Sequence, residues 1–213
     1  MSLDPRRSVI SHNTYIHRIA RIGVRPLVNT SITPNQLTAV RLFGGFAAGA
    51  AFAVGDPWWT NVAAALFVVS MFLDRADGEL ARMSGKTSAW GHKFDLVSDS
   101  LANAVAFIGI GIGLRDSALG LWAPVLGVIA GAAVAMVLWF VMRLESGGGE
   151  RAGELKEFAG ADPDDAMIVV PIVMALGGAL PLLIAAAVGA PAFTLIFYFL
   201  FRRTLRAQTD AGP

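Results

Sequence analysis

The sequence contains no cysteine, and only two tyrosines and three histidines occur among its 213 residues. The missing cysteine excludes disulfide bonds, thiol nucleophiles and cysteine-ligated zinc together. Charge is also scarce, at 15% of the chain, whereas a soluble domain usually carries about 25%. With 55% hydrophobic residues, the chain has more apolar surface than one globular core can bury, so lipid is the expected solvent for much of it. The net charge of +1 provides no basic field, and we expect no nucleic-acid partner.

Six apolar segments are close to the ~20 residues that cross a bilayer. They predict an all-α membrane protein with spans at roughly 35–54, 58–81, 92–114, 118–143, 166–188 and 190–205. Glycine and proline within residues 188–191 predict a tight turn between the last two spans. Lysine and arginine concentrate on one side of the spans, so we expect an integral protein of the inner (cytoplasmic) membrane with both termini in the cytoplasm.

The chain before the first span combines basic and aliphatic residues. Residues 4–28 alternate arginines with aliphatic residues, which is typical of an amphipathic helix on the cytoplasmic membrane surface; a disordered basic arm is the alternative. The first span begins with Thr33 as a suitable N-cap and Pro34 as the first helical residue. The predicted organisation is a juxtamembrane helix and linker over 1–33, a six-helix membrane domain over 34–206, and a tail over 207–213.

Four carboxylates interrupt the second and third predicted spans: Asp74, Asp77, Asp95 and Asp99. An unpaired carboxylate inside a membrane costs several kcal/mol, so such residues normally face a polar interior. At helical spacing, Asp74 and Asp77 share one face, and Asp95 and Asp99 share a face of the next helix. Two adjacent antiparallel helices can therefore bring the two acidic stripes together.

Converging carboxylates repel each other unless protons or cations neutralise them. We place His92 about 300° round the helix from Asp95, away from the cluster, which leaves almost only hard oxygen ligands. Such ligands suit Mg²⁺, Mn²⁺ or Ca²⁺ rather than zinc, and two divalent ions would balance four carboxylates and could clamp a phosphoryl group. Two alternatives stay open: a buried salt-bridge cluster with Arg75, Arg82 and Lys93, and the ion pathway of a membrane carrier.

The spacing of these residues resembles the signature of the CDP-alcohol phosphotransferase family, D-x2-D-G-x2-A-R-x8-G-x3-D-x3-D. The fixed positions in this sequence are Asp74, Asp77, Gly78, Ala81, Arg82, Gly91, Asp95 and Asp99. The six predicted spans, the juxtamembrane helix and the Thr-Pro-Asn opening of the first span extend the resemblance over most of the chain.

This resemblance implies a homodimeric membrane enzyme of phospholipid biosynthesis. Such an enzyme transfers a phosphoalcohol group from a CDP-alcohol, such as CDP-diacylglycerol, to a second alcohol and releases CMP; a soluble CDP-polyol is the alternative donor. By resemblance, Asp74, Asp77, Asp95 and Asp99 hold two Mg²⁺ or Mn²⁺ ions, and Asp99 is also the general base. The implied donor-binding residues are Asn35, Thr38, Gly78, Arg82, Ser88 and Gly91.

The acceptor contacts are expected at five further positions: Glu79, Arg143, Arg151, Arg202 and Arg203. The four arginines lie at cytoplasmic span ends, where they can bind a phosphorylated acceptor such as glycerol phosphate or inositol phosphate. They can equally serve as positive-inside anchors for lipid head groups. Glu79 can bond a polyol hydroxyl or pair with Arg75 or Arg82, and we favour the pair.

Overall fold

A computed structural model describes residues 15–146 and 167–210, and these residues form helices joined by short turns. The helices are α1 Tyr15–Val24, α2 Pro34–Val54, α3 Pro57–Ser84, α4 Ala89–Gly113, α5 Trp122–Ser146, α6 Val169–Ala175 and α7 Ala179–Asp210, with a 3-10 turn at Arg25–Leu27. No strand occurs within the described ranges, so the expected all-α architecture is confirmed there.

Side-chain caps fix where the central helices begin. Thr33 caps α2: its hydroxyl accepts from the Gln36 amide at 3.4 Å, and the Gln36 side chain accepts from the Thr33 amide at 2.9 Å. This reciprocal pair satisfies two amides that lack intrahelical partners, and Pro34 at the first helical position has no amide to satisfy. Ser88 caps α4 by accepting from the Gly91 amide at 2.9 Å. The predicted start of the first span is confirmed.

Small residues let the central helices approach closely. A Cβ on Gly45 of α2 would lie 3.3 Å from the backbone of Ala102 of α4, and one on Gly111 would lie 3.0 Å from Gly127 of α5. Such contacts are typical of membrane bundles, where close backbone approach replaces the hydrophobic driving force. The main core cluster includes Phe52, Phe67, Phe107, Ile110 and Leu183.

Four helices are long and apolar enough to cross a membrane: Pro34–Val54, Ala89–Gly113, Trp122–Leu144 and Ala179–Arg202. Helix α3 has 28 residues but contains the charged stretch with Asp74 and Asp77. Six spans therefore remain a prediction, as do the domain limits. Within the range expected to form an amphipathic helix, α1 is helical, whereas residues 1–14 lie outside the described part; its membrane position also stays a prediction.

The expected turn at residues 188–191 is wrong. Helix α7 runs without a break from Ala179 to Asp210 and contains Pro191. The chain turns instead between α6 and α7, where Gly177 has a φ of +76°. Proline is tolerated inside membrane helices because neighbouring groups can satisfy the freed carbonyl, so it is a weaker stop signal in this environment than in water.

The two ends of the bundle are chemically different. Gly55, Gly113 and Gly177, which lie where α2, α4 and α6 end, line one cavity. At the opposite end the Lys86 ammonium group donates to the carbonyls of Thr30 at 3.0 Å and Ile32 at 3.2 Å. These bonds fasten the α3–α4 turn to the linker before α2, at the end where the aspartates lie.

Candidate active site

Three of the four singled-out aspartates converge between α3 and α4. Asp74, Asp77 and Asp95 each offer one carboxylate oxygen, and these oxygens lie within 4.8 Å of one another. Helical geometry explains the arrangement, because Asp74 and Asp77 are three residues apart on α3 and therefore share a face. Asp77 is almost fully buried, at 3% exposure. The predicted convergence of the two stripes is what the structure shows for these three residues.

Asp99 lies one helical turn beyond Asp95 on α4. Its two carboxylate oxygens contact Asn103 and Arg41. Its Oδ2 accepts from the Asn103 side-chain amide at 3.2 Å, and its Oδ1 lies 3.4 Å from a guanidinium nitrogen of Arg41. The compact oxygen group contains Asp74, Asp77 and Asp95 but not Asp99. Asp99 thus faces the site with one oxygen held by a neutral amide.

Arg41 of α2 is the functional-site residue that the sequence analysis missed. Its guanidinium pairs with Asp74, lies 3.1 Å from Asp95 Oδ1 and 3.4 Å from Asp99 Oδ1, and donates to the Asp95 backbone carbonyl at 2.8 Å. The residue is 1% exposed. A signal was available, because an arginine within an apolar span is as costly as an aspartate and demands partners for the same reason.

The pairing expected from other cations is observed only in part. Arg75 lies 3.5 Å from Asp74 Oδ2, as the salt-bridge alternative predicts. Arg82 instead donates to Glu79 at 2.9 Å, and Lys93 is exposed. Arg41, which was not considered, forms most of the ion pairs described for this cluster.

The donor set fits a divalent cation. Arg41 and Arg75 supply two positive charges against four carboxylates, so the four ionised carboxylates with these two arginines sum to −2. Asp95 Oδ1 is buried, and despite its closeness to Arg41 it receives no hydrogen bond of acceptable geometry. Closely spaced carboxylate oxygens without nitrogen or sulfur ligands are the chemistry of Mg²⁺ and Mn²⁺ sites. Asp74, Asp77 and Asp95 can therefore hold a metal ion.

The N-terminal turn of α2 borders the aspartates, as expected for Asn35 and Thr38. The Thr38 hydroxyl donates to Asp77 Oδ2 at 2.6 Å. A Cβ on Gly91 would lie 2.9 Å from Asn35 Oδ1 and 3.0 Å from the Ser88 hydroxyl. The structure thus brings Asn35, Ser88 and Gly91 together, beside the turn that joins α3 to α4.

Gly78 and Arg82 also lie together, one turn apart on α3. A Cβ on Gly78 would meet the Arg82 guanidinium at 3.5 Å. Glu79 is 1% exposed and accepts from Arg82 at 2.9 Å and from Arg21 of α1 at 3.1 Å. The favoured pairing of Glu79 with Arg82 is confirmed, and Arg21 is an additional partner 58 residues away in sequence.

Two of the arginines expected to bind the acceptor, Arg143 and Arg202, have aromatic neighbours. The Arg143 guanidinium lies over the Trp139 ring at 4.5 Å, and that of Arg202 lies over Phe199 at 5.6 Å. Residue Arg151 and the side chain of Arg203 lie outside the described part of the chain. The acceptor assignments remain predictions.

The expectation for His92 is wrong. An offset of 300° equals −60°, the same separation that places Asp74 and Asp77 on one face. The imidazole is exposed and lies outside the compact group of three carboxylates. The expectation of a metal ion with oxygen ligands therefore rests on those carboxylates alone.

Comparison with known proteins identifies the family of this chain. An archaetidylinositol phosphate synthase of Pyrococcus horikoshii is 36% identical over 95 residues, which cover 45% of this chain and 48% of the relative. A phosphatidylinositol phosphate synthase of Streptomyces avermitilis is 31% identical over 87 residues, covering 40% of this chain and 34% of the relative. The aligned regions thus span half or less of these curated relatives. Because residues 31–195 match the CDP-alcohol phosphatidyltransferase family, the chain belongs to that family.

Proposed function

We propose that this protein catalyses metal-dependent transfer of a phosphatidyl group from CDP-diacylglycerol, or a related CDP-alcohol, to the hydroxyl of a second alcohol, with release of CMP. The observation that carries the proposal is the approach of Asp74, Asp77 and Asp95 oxygens to within 4.8 Å, with Asp99 on the next turn. This arrangement supplies a cation site and an acid-base group at one place, which phosphoryl transfer requires.

Charge balance supports two bound ions, Mg²⁺ or Mn²⁺. Four carboxylates with Arg41 and Arg75 sum to −2, and two divalent ions raise this to +2. A nucleoside diphosphate ester carries about two negative charges, so the loaded site with its donor is neutral. When bound, the ions neutralise the diphosphate and stabilise CMP as the leaving group. Asp74, Asp77, Asp95 and Asp99 are the proposed ligands.

Asp99 is the proposed general base. The acceptor oxygen bonds to the β-phosphorus as the phosphorus–oxygen bond to CMP breaks, and the hydroxyl proton passes to an Asp99 carboxylate oxygen. Asn103 holds Oδ2 through its amide at 3.2 Å, which fixes the carboxylate plane. The chain has no cysteine, and the transfer needs no covalent enzyme intermediate.

Donor binding is proposed at the mouth of the cluster. Asn35 and Ser88 lie close to Gly91 at the start of α4, and Thr38 donates to Asp77. Arg82 lies about 44% exposed over Gly78, so its guanidinium can reach a donor phosphate while the glycine leaves room for the nucleotide. A guanidinium fork matches phosphate oxygens in geometry and charge.

The proposed acceptor is an inositol phosphate, because both relatives are named as synthases of an inositol phosphate lipid. Arg143, Arg202 and the remaining predicted arginines at the span ends would bind its phosphate. The protein is further proposed to be a homodimer, as the family resemblance implies. The distribution of lysine and arginine supports a place in the cytoplasmic membrane with both termini in the cytoplasm.

A donor and acceptor panel tests this proposal. Purified protein with Mn²⁺ or Mg²⁺ is given CDP-diacylglycerol and either inositol phosphate, inositol or glycerol phosphate, and CMP and the lipid product are quantified. We expect CMP release with inositol phosphate, abolished by EDTA, and little with free inositol. CDP-inositol replaces the lipid donor in a separate arm, and turnover only there would reassign the donor. Absence of CMP release from every pair would favour an ion carrier instead.

A further inference from the structure

Arg41 pairs with two of the three carboxylates that could hold a metal ion. Its guanidinium contacts Asp74 Oδ1 and lies 3.1 Å from Asp95 Oδ1, and both residues belong to the compact carboxylate group. A guanidinium and a divalent cation on the same oxygens repel each other over a few ångströms in a medium of low dielectric. Binding of both to the same oxygens is therefore unfavourable.

We propose that Arg41 is an internal counter-ion that a divalent cation replaces at Asp74 and Asp95. This inference rests on the proposed function, because it concerns the metal site assigned there. Before the ion binds, Arg41 neutralises part of the acidic cluster and lets α2, α3 and α4 pack around it. When the metal ion binds, the carboxylate oxygens exchange their contacts with the guanidinium for contacts with the cation. Arg41 is in this role a positioning residue.

The surroundings of Arg41 allow such an exchange. Its Nη2 donates to the Asp95 backbone carbonyl at 2.8 Å, a neutral partner that does not bind in competition with the cation at the carboxylates. Its Nε is buried without a hydrogen-bond partner, so the guanidinium is not fully satisfied where it lies. The Ser70 hydroxyl donates to the Arg41 carbonyl at 3.0 Å and connects this turn of α2 to α3. The Ser70 bond to the backbone and the Nη2 bond to the Asp95 carbonyl do not depend on the carboxylate contacts that the exchange would change.

If the exchange occurs, removing the charge of Arg41 should lower the stability of the metal-free protein and raise its affinity for the metal ion. Without a cation at position 41, the four carboxylates repel in the metal-free protein, and stability should depend on added metal. With the competing guanidinium gone, the same carboxylates should bind the ion more tightly. A residue with a purely structural role would lower stability with no gain in metal affinity.

Arg41→Gln is the test variant, and Mn²⁺ binding by electron paramagnetic resonance in detergent is the measurement, together with thermal unfolding in EDTA and in Mn²⁺. We expect the variant to bind Mn²⁺ about tenfold more tightly than wild type, equivalent to ~1.4 kcal/mol. We also expect its unfolding temperature to fall in EDTA and to recover toward wild type at saturating Mn²⁺.

Arg75→Gln is the matched control, because Arg75 contacts Asp74 at 3.5 Å and is likewise buried. It should tighten Mn²⁺ binding less than Arg41→Gln. If both variants tightened Mn²⁺ binding equally, the change would follow from net charge alone, and the proposed exchange would be overturned. Unchanged or weaker Mn²⁺ binding by Arg41→Gln would also overturn it, whereas absence of Mn²⁺ binding by wild type would refute the proposed function itself.

Arg41→Lys covers the case in which the glutamine variant does not fold. Lysine keeps the charge but presents a single ammonium group, which cannot bridge three carboxylates as the guanidinium fork does. We expect this variant to fold in EDTA and to bind Mn²⁺ more tightly than wild type. Weaker binding than wild type would overturn the inference independently of the glutamine variant.

Discussion

At the scale of single residues, the site works through differences among chemically identical aspartates. Asp77 is buried and accepts from Thr38, whereas Asp99 accepts from Asn103 and is not one of the three most closely grouped carboxylates. A residue that must exchange a proton with an incoming hydroxyl needs an accessible oxygen, and Asp99 has about 36% of its side chain exposed. These contacts distinguish Asp99 from the buried Asp77, and Asp99 is proposed as both a metal ligand and the general base.

Asp99→Asn should therefore lower the turnover number by about 10²- to 10⁴-fold, the range usually contributed by acid-base catalysis. The amide preserves shape but cannot accept the proton, so nucleotide affinity and unfolding temperature should stay near wild type. CMP release and isothermal titration with a CDP-alcohol measure the two effects. Asp116→Asn, at an exposed acid on the opposite end, is the control. A variant with wild-type turnover would remove Asp99 from the mechanism.

The limits of sequence reasoning are also clearest at this scale. The aspartate spacing predicts convergence because helical periodicity fixes which residues share a face. Arg41 was missed although it lies three residues after Thr38 and so shares its face of α2, a pattern as readable as Asp74 and Asp77. The pairing of Arg21 with Glu79 could not be predicted from the sequence, because helical periodicity gives no information about partners 58 residues apart.

At the scale of elements, α1 is attached to α3 beside the site. Ala20 and Val24 of α1 pack with Ala76 and Leu80 of α3 in one apolar cluster, and Glu79 accepts from Arg21 at its edge. Glu79 also holds Arg82, the proposed phosphate ligand. One buried carboxylate thereby connects α1 to the proposed donor site.

Glu79→Gln should loosen α1 and lower the free energy of unfolding by ~1–2 kcal/mol, because it removes charged hydrogen bonds whose arginine partners are about half exposed. Hydrogen exchange should increase in α1 most of all. A double-mutant cycle with Arg21→Gln should be non-additive, whereas Asp116→Asn, at the exposed partner of Arg115, should change stability by less than ~0.5 kcal/mol. Additive effects would mean that the pair does not hold α1.

The turn before α7 can be located by two alanine substitutions. Gly177→Ala forces a side chain into a left-handed conformation and should cost ~1–2 kcal/mol of stability. Gly189→Ala places a methyl group where nothing lies within 4 Å, inside a helix that alanine favours, and should be neutral or stabilising. Thermal unfolding in detergent compares them. If Gly189→Ala were the more destabilising of the two, the turn would lie at residues 188–191 after all.

At the scale of the whole molecule, the acidic site lies at one end of an apolar bundle. Its composition predicts a membrane protein, and four helices long enough to cross the bilayer agree with this. The sequence could not locate the last turn, because glycine and proline break helices in water more reliably than in lipid. The end with the aspartates also has the short α3–α4 turn, which is exposed at Thr87.

Single-cysteine labelling tests the orientation directly, since the native chain has no cysteine. Thr87→Cys and Ala118→Cys introduce exposed thiols in turns at opposite ends of the bundle. A membrane-impermeant maleimide should label position 118 in intact cells and position 87 only after permeabilisation. Labelling of position 87 in intact cells would place the aspartates on the outer side and reverse the predicted topology.

The central claim is that carboxylates from α3 and α4 hold divalent cations, and anomalous diffraction from crystals of the full chain grown with Mn²⁺ tests it most directly. We predict a manganese peak bound by oxygens of Asp74, Asp77 and Asp95 at about 2.0–2.3 Å, the range of such metal–oxygen bonds. Well-ordered crystals with no anomalous peak among these three residues, and Arg41 still bridging the carboxylates, would contradict the account.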